Sequence, residues 1–187
     1  LSTTAPLVGS ASGLFAGSSD YVSYAHHSVD DIGTSAFCIE CAVKLTSVSG
    51  YVPLLGKGMY AMGGNEWTLF VVDGLYLDFY FGQRGSSQAH IQFLLPAALG
   101  TGIAYKLCVR RDAAGNWAGY VGGVKCLQYR YSPPSGGVSW GAWTGGELTN
   151  AVSLSYGSNL WVAAHPALGL YGVLDELRFT VGESIYT

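Results

Sequence analysis

Two alternating runs meet at one pair, Asp73-Gly74, and this arrangement constrains the chain more than any other stretch. Glu66 to Val72 and Leu75 to Phe81 alternate with a period of two, which is strand periodicity. Asp-Gly accepts the positive φ of a two-residue turn. The spacing therefore predicts a hairpin in which Val72 faces Leu75 and Phe70 faces Leu77. One face would carry Phe70, Val72, Leu75, Leu77 and Phe79, a core face. The other would carry Trp67, Leu69, Val71, Tyr76, Asp78 and Tyr80. That second face is aromatic with one carboxylate, and it suits a ligand-facing surface or a second packing interface.

Similar runs recur along the chain. Leu14-Phe15 and Asp20 to Tyr24 read as short strands, separated by a Gly17-Ser18-Ser19 turn. Phe37 to Leu45 places Phe37, Ile39, Cys41 and Val43 on one face. His90 to Leu95, Tyr105 to Arg110, Trp117 to Val121, Val124 to Leu127, Leu160 to Ala164 and residues 169–181 follow as further strands. Residues 128–150 read as aromatics set among turn formers, and residues 1–13 as a Ser/Thr/Gly/Ala-rich arm. No helix longer than a turn is expected. Many short strands with Gly-rich turns predict an all-β fold, two antiparallel sheets packed as a sandwich over residues 14–187. A chain of 187 residues is long enough to give it a sizeable core.

Composition narrows the function classes. Only 11% of residues are charged, under half the usual value of about 25%. Such a surface suits a protein packed against neighbours or displayed outside a cell, and a homo-oligomer is expected. The nine Lys and Arg form no cluster larger than Arg110-Arg111 and the net charge is −3, so no nucleic-acid footprint is expected. No apolar run reaches about 18 residues, so no membrane-spanning helix is expected. The chain starts at Leu1 without the charged and apolar segments of a signal peptide, which reads as a trimmed start or an excised domain.

The last strand, Gly172 to Thr180, carries an anomaly. Val173, Leu177 and Phe179 share one parity, and Asp175 falls on that same apolar parity. An inward carboxylate must be hydrogen-bonded, ion-paired or metal-bound. Glu176 and Arg178 share the opposite face and are expected to pair. Cys38, Cys41, Cys108 and Cys126 are expected to be free, mostly buried thiols, with a cross-strand disulfide such as Cys41 to Cys108 as the alternative. Cys38 and Cys41 point to opposite faces of one strand and so cannot bond each other.

The order of motifs is similar to a known family. Phe15-Ala16-Gly17-Ser18-Ser19-Asp20-Tyr21-Val22 resembles the opening "F-D-G-x-x-D-Y-V" of laminin-G-like jelly rolls in the concanavalin A-like lectin/glucanase superfamily. Phe37 to Lys44 resembles its "F-T-I-E-x-W-V-K" strand, and Leu55-Gly56-Lys57-Gly58 its "L-x-x-K-G" turn. Tyr105 to Asp112 is similar to "W-H-H-V-A-V-V-R-D", Trp117 to Val124 to the "L-Y-V-D-G-V" hairpin, and Gly172 to Phe179 to "G-x-I-D-E-L-R-I". Glu176 to Thr187 resembles the "E-L-R-I-T-K-G-V-A-R-Y-T" tail frequent in virion proteins of tailed bacteriophages. The resemblance implies a jelly roll. It also implies a non-enzymatic virion structural or adhesion protein that contacts other virion proteins and host-surface carbohydrate. The alternative is a carbohydrate-binding module of a secreted protein. Ala16 and Gly122 stand where the family pattern has Asp.

Three kinds of site follow. Related glucanases use a Glu-x-Asp-x-Glu run on one strand face; this chain has none, and no catalytic residues are assigned. Asp20 and Asp175 lie in motifs that meet in relatives, which implies either a structural Ca²⁺ or carboxylates that fix turn amides. Trp140, Trp143, Tyr129 and Tyr131, with Trp67, Tyr76 and Tyr80 on the hairpin, are the candidate aromatic rim for sugars or protein contacts, against ordinary core packing.

Overall fold

A computed structural model describes residues 7–8, 11–58, 65–83, 87–135, 139–150, 152–154, 158–165 and 168–182. The strands are β1 (Gly13–Ala16), β2 (Val22–Tyr24), β3 (Phe37–Leu45), β4 (Tyr51–Lys57), β5 (Asn65–Val72), β6 (Tyr76–Gln83), β7 (Ser87–Leu94), β8 (Ala104–Arg111) and β9 (Asn116–Val121). They continue with β10 (Val124–Lys125), β11 (Gln128–Ser135), β12 (Thr144–Gly145), β13 (Leu148–Thr149), β14 (Leu160–Val162), β15 (Ala164–His165), β16 (Leu168–Gly169) and β17 (Tyr171–Val181). Seven strands form one antiparallel sheet in the order β1-β17-β3-β8-β9-β10, with β13 also on β9. Eight form the other, in the order β12-β11-β7-β6-β5-β4-β14-β2. The fold is the two-sheet antiparallel sandwich expected from the pattern.

The core lies between the sheets because alternation sends every second side chain inward. Phe37, Ile39, Cys41, Val43 and Leu45 of β3 face Trp67, Leu69 and Val71 of β5 and Leu77, Phe79 and Phe81 of β6. Phe79 joins the layers: its ring lies 5.5 Å from Phe37, 5.0 Å from Trp117 and 5.5 Å from Trp67. Arg111 of β8 is fully buried at the end of this core. Its guanidinium sits 5.4 Å from both the Phe37 and Trp117 rings and donates to the carbonyls of Gly33, Ser35 and Val152. Burial brings its pKa down to about 10, so it stays charged at neutral pH while fastening two loops.

The β5–β6 hairpin differs from expectation by one residue. Three residues turn the chain, Asp73 and Gly74 at φ 50° and 64° plus Leu75, and Val72 pairs with Tyr76, not with Leu75. A one-residue slip sends every side chain of one strand to the opposite face relative to its partner. The core face therefore combines Trp67, Leu69 and Val71 with Leu77, Phe79 and Phe81. Phe70 and Val72 turn outward with Tyr76, Asp78 and Tyr80.

The last strand also shifts register. Asp175 pairs with Ala42 but Arg178 pairs with Glu40, so Glu176 and Leu177 together oppose one residue. Glu176 takes φ 46° in this bulge. Leu174 faces the core before it, and Leu177, Phe179 and Val181 face the core after it. The extra residue changes the phase, so Asp175 is not inward: it lies on the outer side next to the N-terminal arm. Glu176 and Arg178 do not pair either. Glu176 meets Lys106 at 3.4 Å and Arg178 meets Glu40 at 3.7 Å, both exposed contacts of small energetic worth.

Two of the longer strands were not apparent from the pattern, nor were the two-residue β12 and β13. Tyr51–Lys57 forms β4, and Gln128–Ser135 forms β11 within the stretch read as turn formers. Pro133 and Pro134 fit there because β11 pairs with β12 only through Gln128 and Tyr129, and its ladder to β7 shifts register between Ser132 and Ser135. All four cysteines are buried free thiols. Cys41 faces the core, whereas the sulfurs of Cys38 and Cys108 lie 3.4 Å apart, so the close pair is Cys38–Cys108 and not Cys41–Cys108.

Candidate functional site

The outward face of the eight-stranded sheet is largely dry. Phe70, Val72 and Tyr80 are buried there beneath Leu168 of β16. Toward β11 the cover changes. Ser139 N donates to Ser132 Oγ at 3.1 Å, Gly141 N donates to the Tyr131 carbonyl at 3.0 Å, and Thr144 pairs with Tyr129. The segment from Ser139 to Gly145 thus folds back along β11. A Cβ at Gly141 would come within 3.2 Å of the Tyr131 carbonyl, so this close return favours glycine. The strap brings Trp140 and Trp143, both half-buried, to the sheet face.

Beneath them is a fixed polar chain. Asp78 is fully buried, and a carboxylate so placed needs partners. His90 Nδ1 lies 3.1 and 3.2 Å from its two oxygens, and Gln92 Nε2 donates to it at 3.0 Å. With its amide nitrogen so engaged, Gln92 aims its oxygen the other way. That oxygen accepts from Arg130 Nε at 2.9 Å and Arg130 Nη2 at 2.7 Å. The Arg130 guanidinium lies 4.3 Å from the Trp140 ring, 4.7 Å from Trp143 and 5.3 Å from Tyr76. Tyr76 stacks on Trp143 at 5.5 Å and 20°. His90 meets Trp140 edge-on at 5.3 Å and Tyr80 at 4.9 Å. Cation–π and aromatic contacts of this kind contribute about 0.5–2 kcal/mol each. They hold three rings and one cation in a set geometry.

Tyr51 belongs to the same cluster. It is 40% exposed and packs on Phe70 at 5.5 Å. Its hydroxyl pKa is raised by burial first, then by the Asp78 and Asp73 charges, with Arg130 opposing.

The structure brings together Tyr76, Trp140 and Trp143 of the expected rim. Tyr80 shares that face but is buried, 6% exposed. Trp67, Tyr129 and Tyr131 do not belong to it. Trp67 is fully buried and stacks on Phe79 between the sheets. Tyr129 and Tyr131 pack against the same core from the inner side of β11. Arg130, Gln92, His90 and Tyr51 were not singled out by sequence. The available signal was the alternation Tyr129, Arg130, Tyr131: two inward tyrosines require an outward arginine once β11 is a strand.

Asp20 and Asp175 do not fit one shared Ca²⁺. Asp20 Oδ2 accepts from Ala16 N at 2.8 Å. Asp175 Oδ2 accepts from Ser12 Oγ at 2.7 Å and Val8 N at 2.8 Å, and its Oδ1 accepts from Glu176 N. Ala16 and Asp175 lie at opposite ends of the β1–β17 ladder. Among the described residues no three His, Cys, Asp or Glu side chains converge as metal ligands.

No protein-family model matches the chain, and no curated protein matches it in sequence. Solved structures do match in fold. Domains LG4-5 of the mouse laminin α1 chain align with TM-score 0.58 and 16% identity over 90% of this chain and 40% of theirs. Domain 4 of AbnA, an extracellular arabinanase from Geobacillus stearothermophilus, in complex with arabinotriose, aligns at 0.57 and 14% over 87% of this chain and 66% of its own. The Ruminococcus gnavus sialidase CBM40 bound to α2,3-sialyllactose aligns at 0.53 and 10% over 94% of each chain. The chain spans 40% and 66% of the length of the first two. At such identities the likeness speaks for fold alone, a two-sheet antiparallel jelly-roll sandwich.

Proposed function

We propose that the chain is a non-catalytic glycan-binding domain whose site is the aromatic face of the eight-stranded sheet. The observation that carries this is the grouping of Tyr76, Trp140 and Trp143 around Arg130, above the buried Asp78–Gln92 pair. Sugar rings have an apolar face and a polar rim, and half-buried aromatic rings beside fixed donors answer both. Jelly rolls of the same architecture include an arabinanase domain in complex with arabinotriose and a sialidase module bound to sialyllactose. Tyr76 and Arg130 stand on strands of one sheet, and Trp140 and Trp143 stand on the strap hydrogen-bonded along β11.

The setting we propose is a bacteriophage virion, where the domain contacts other virion proteins and host-surface glycans and assembles as a homo-oligomer. The support is the resemblance of residues 176–187 to tails of virion proteins, of which residues 183–187 lie outside the described structure. A carbohydrate-binding module of a secreted protein would use the same face. Glycan-array binding of the wild type tests the reading, with Trp140→Ala and Trp143→Ala beside it. Each substitution should weaken a bound glycan by roughly tenfold or more with the melting temperature little changed. An array with no bound glycan overturns the reading.

A further inference from the structure

We propose that the ligand is an acidic sugar, and that Arg130 takes its carboxylate; this rests on the glycan-binding reading above. Five other cations among the described residues are engaged differently. Arg110 faces Asp112 and Glu147, Arg178 faces Glu40, Lys57 meets Asp31 and Lys106 meets Glu176. Arg111 is spent on three loop carbonyls in the interior. Arg130 is half-buried, and among the described residues its guanidinium meets no carboxylate.

Its hydrogen bonds are consumed on one edge only. Nε and Nη2 both donate to the single oxygen of Gln92. A guanidinium has five N–H donors in a planar fork. Spending the Nε and the adjacent Nη2 hydrogen on Gln92 leaves the two hydrogens of Nη1 and the second of Nη2. The Nη1/Nη2 pair is the end-on fork that matches the two oxygens of a carboxylate. The fork is also set in advance. Asp78 orients Gln92, and Gln92 orients Arg130; both supporting side chains are at least nine-tenths buried. Trp140, Trp143 and Tyr76 enclose the cation without neutralising it. A held cation flanked by stacking rings fits a ligand with a ring and a negative charge on one unit, which describes uronic and sialic acids alike.

Calorimetric titration of the whole chain distinguishes these sources in two arms. One compares trigalacturonic acid with its methyl ester, which keeps shape and removes charge. The other compares 3′-sialyllactose with lactose. In at least one arm the acid should bind roughly tenfold to a hundredfold more tightly than its neutral partner. Added NaCl should weaken the acid and leave the neutral sugar nearly unchanged. Arg130→Lys keeps a charge but loses the fork, and should erase most of the preference. The salt comparison needs no variant, so misfolding cannot obscure it. Equal affinities of acid and neutral sugar in both arms, or a neutral preference, overturn the proposal while leaving glycan binding in place. If no sugar of any kind binds, here or on the array, the glycan reading falls and the acidic ligand with it.

Discussion

Asp175 and Ser12 are 163 residues apart in sequence, and the Ser12 hydroxyl donates to the Asp175 carboxylate at 2.7 Å. The same carboxylate oxygen takes Val8 N, so one side chain of the last strand clasps the arm that precedes the first. The Ser12 hydroxyl, with the Val8 and Glu176 amides, holds the Asp175 pKa below the usual carboxylate range. A depressed pKa contributes stability that is fully present above the ordinary value of about 3.9 and is lost as pH falls through the lower, folded-state value. Asp175→Asn should therefore be less stable than wild type near neutral pH, by about 1 kcal/mol, and the difference should close below about pH 4. Urea unfolding across that pH range measures it. A gap that stays constant down to pH 2 would refute the clasp.

Arg111→Met should cost more than about 3 kcal/mol, because it leaves the Gly33, Ser35 and Val152 carbonyls without their donor in a region closed to water. Arg111→Lys should recover little, since one ammonium cannot span carbonyls on two loops. Chemical denaturation of both variants decides this.

Gly172 sits at φ 145°, and a Cβ there would stand 2.3 Å from the Lys44 carbonyl oxygen. Neither the backbone angle nor the space admits a side chain, and the obstacle is backbone in the adjacent strand. Gly172→Ala should destabilise by about 3 kcal/mol or more, visible as a loss of soluble expression or a drop in melting temperature.

The sulfurs of Cys38 and Cys108 are 3.4 Å apart across two strands, and the contact lowers the Cys38 pKa while raising that of Cys108. Burial pushes Cys41 up to about 12 and Cys126 up to about 11, keeping both as thiols. Oxidised glutathione should convert Cys38 and Cys108 to a disulfide, releasing two molecules of reduced glutathione and sparing the other two cysteines. Peptide mapping without reduction would identify the bridge. A bridge involving Cys41 or Cys126 would contradict the geometry.

The sandwich was legible because alternation and Gly-rich turns carry the fold class locally. What stayed hidden were two single-residue shifts. Asp73-Gly74 looks like a complete turn, yet Leu75 also belongs to it, and Leu99 N donates to the Gly74 carbonyl at 2.8 Å. That long-range contact has no local signature, and the slip moved Trp67 from the expected ligand face to the core. The bulge at Glu176 leaves Asp175 on the outer side and not on the inward face its parity suggested: a non-glycine at positive φ leaves no mark in composition. The site itself was half legible. Trp140, Trp143 and Tyr76 stood out as aromatics, but Arg130 did not, since Pro133-Pro134 made its strand read as a turn region.

The pairing of β1 with β17 has a consequence for how the molecule is made. Gly13 faces Leu174, so this ladder closes nearly the whole length of the chain. The entropy of closing a loop must be met before its contacts return anything, which makes long-range strand pairing slow. Until β1 arrives, β17 offers an open edge to any other strand, including its counterpart in a second nascent molecule. Folding yield should thus depend on protein concentration most strongly in the interval before the N-terminal arm docks, and the four residues of β1 serve as the shield that ends it.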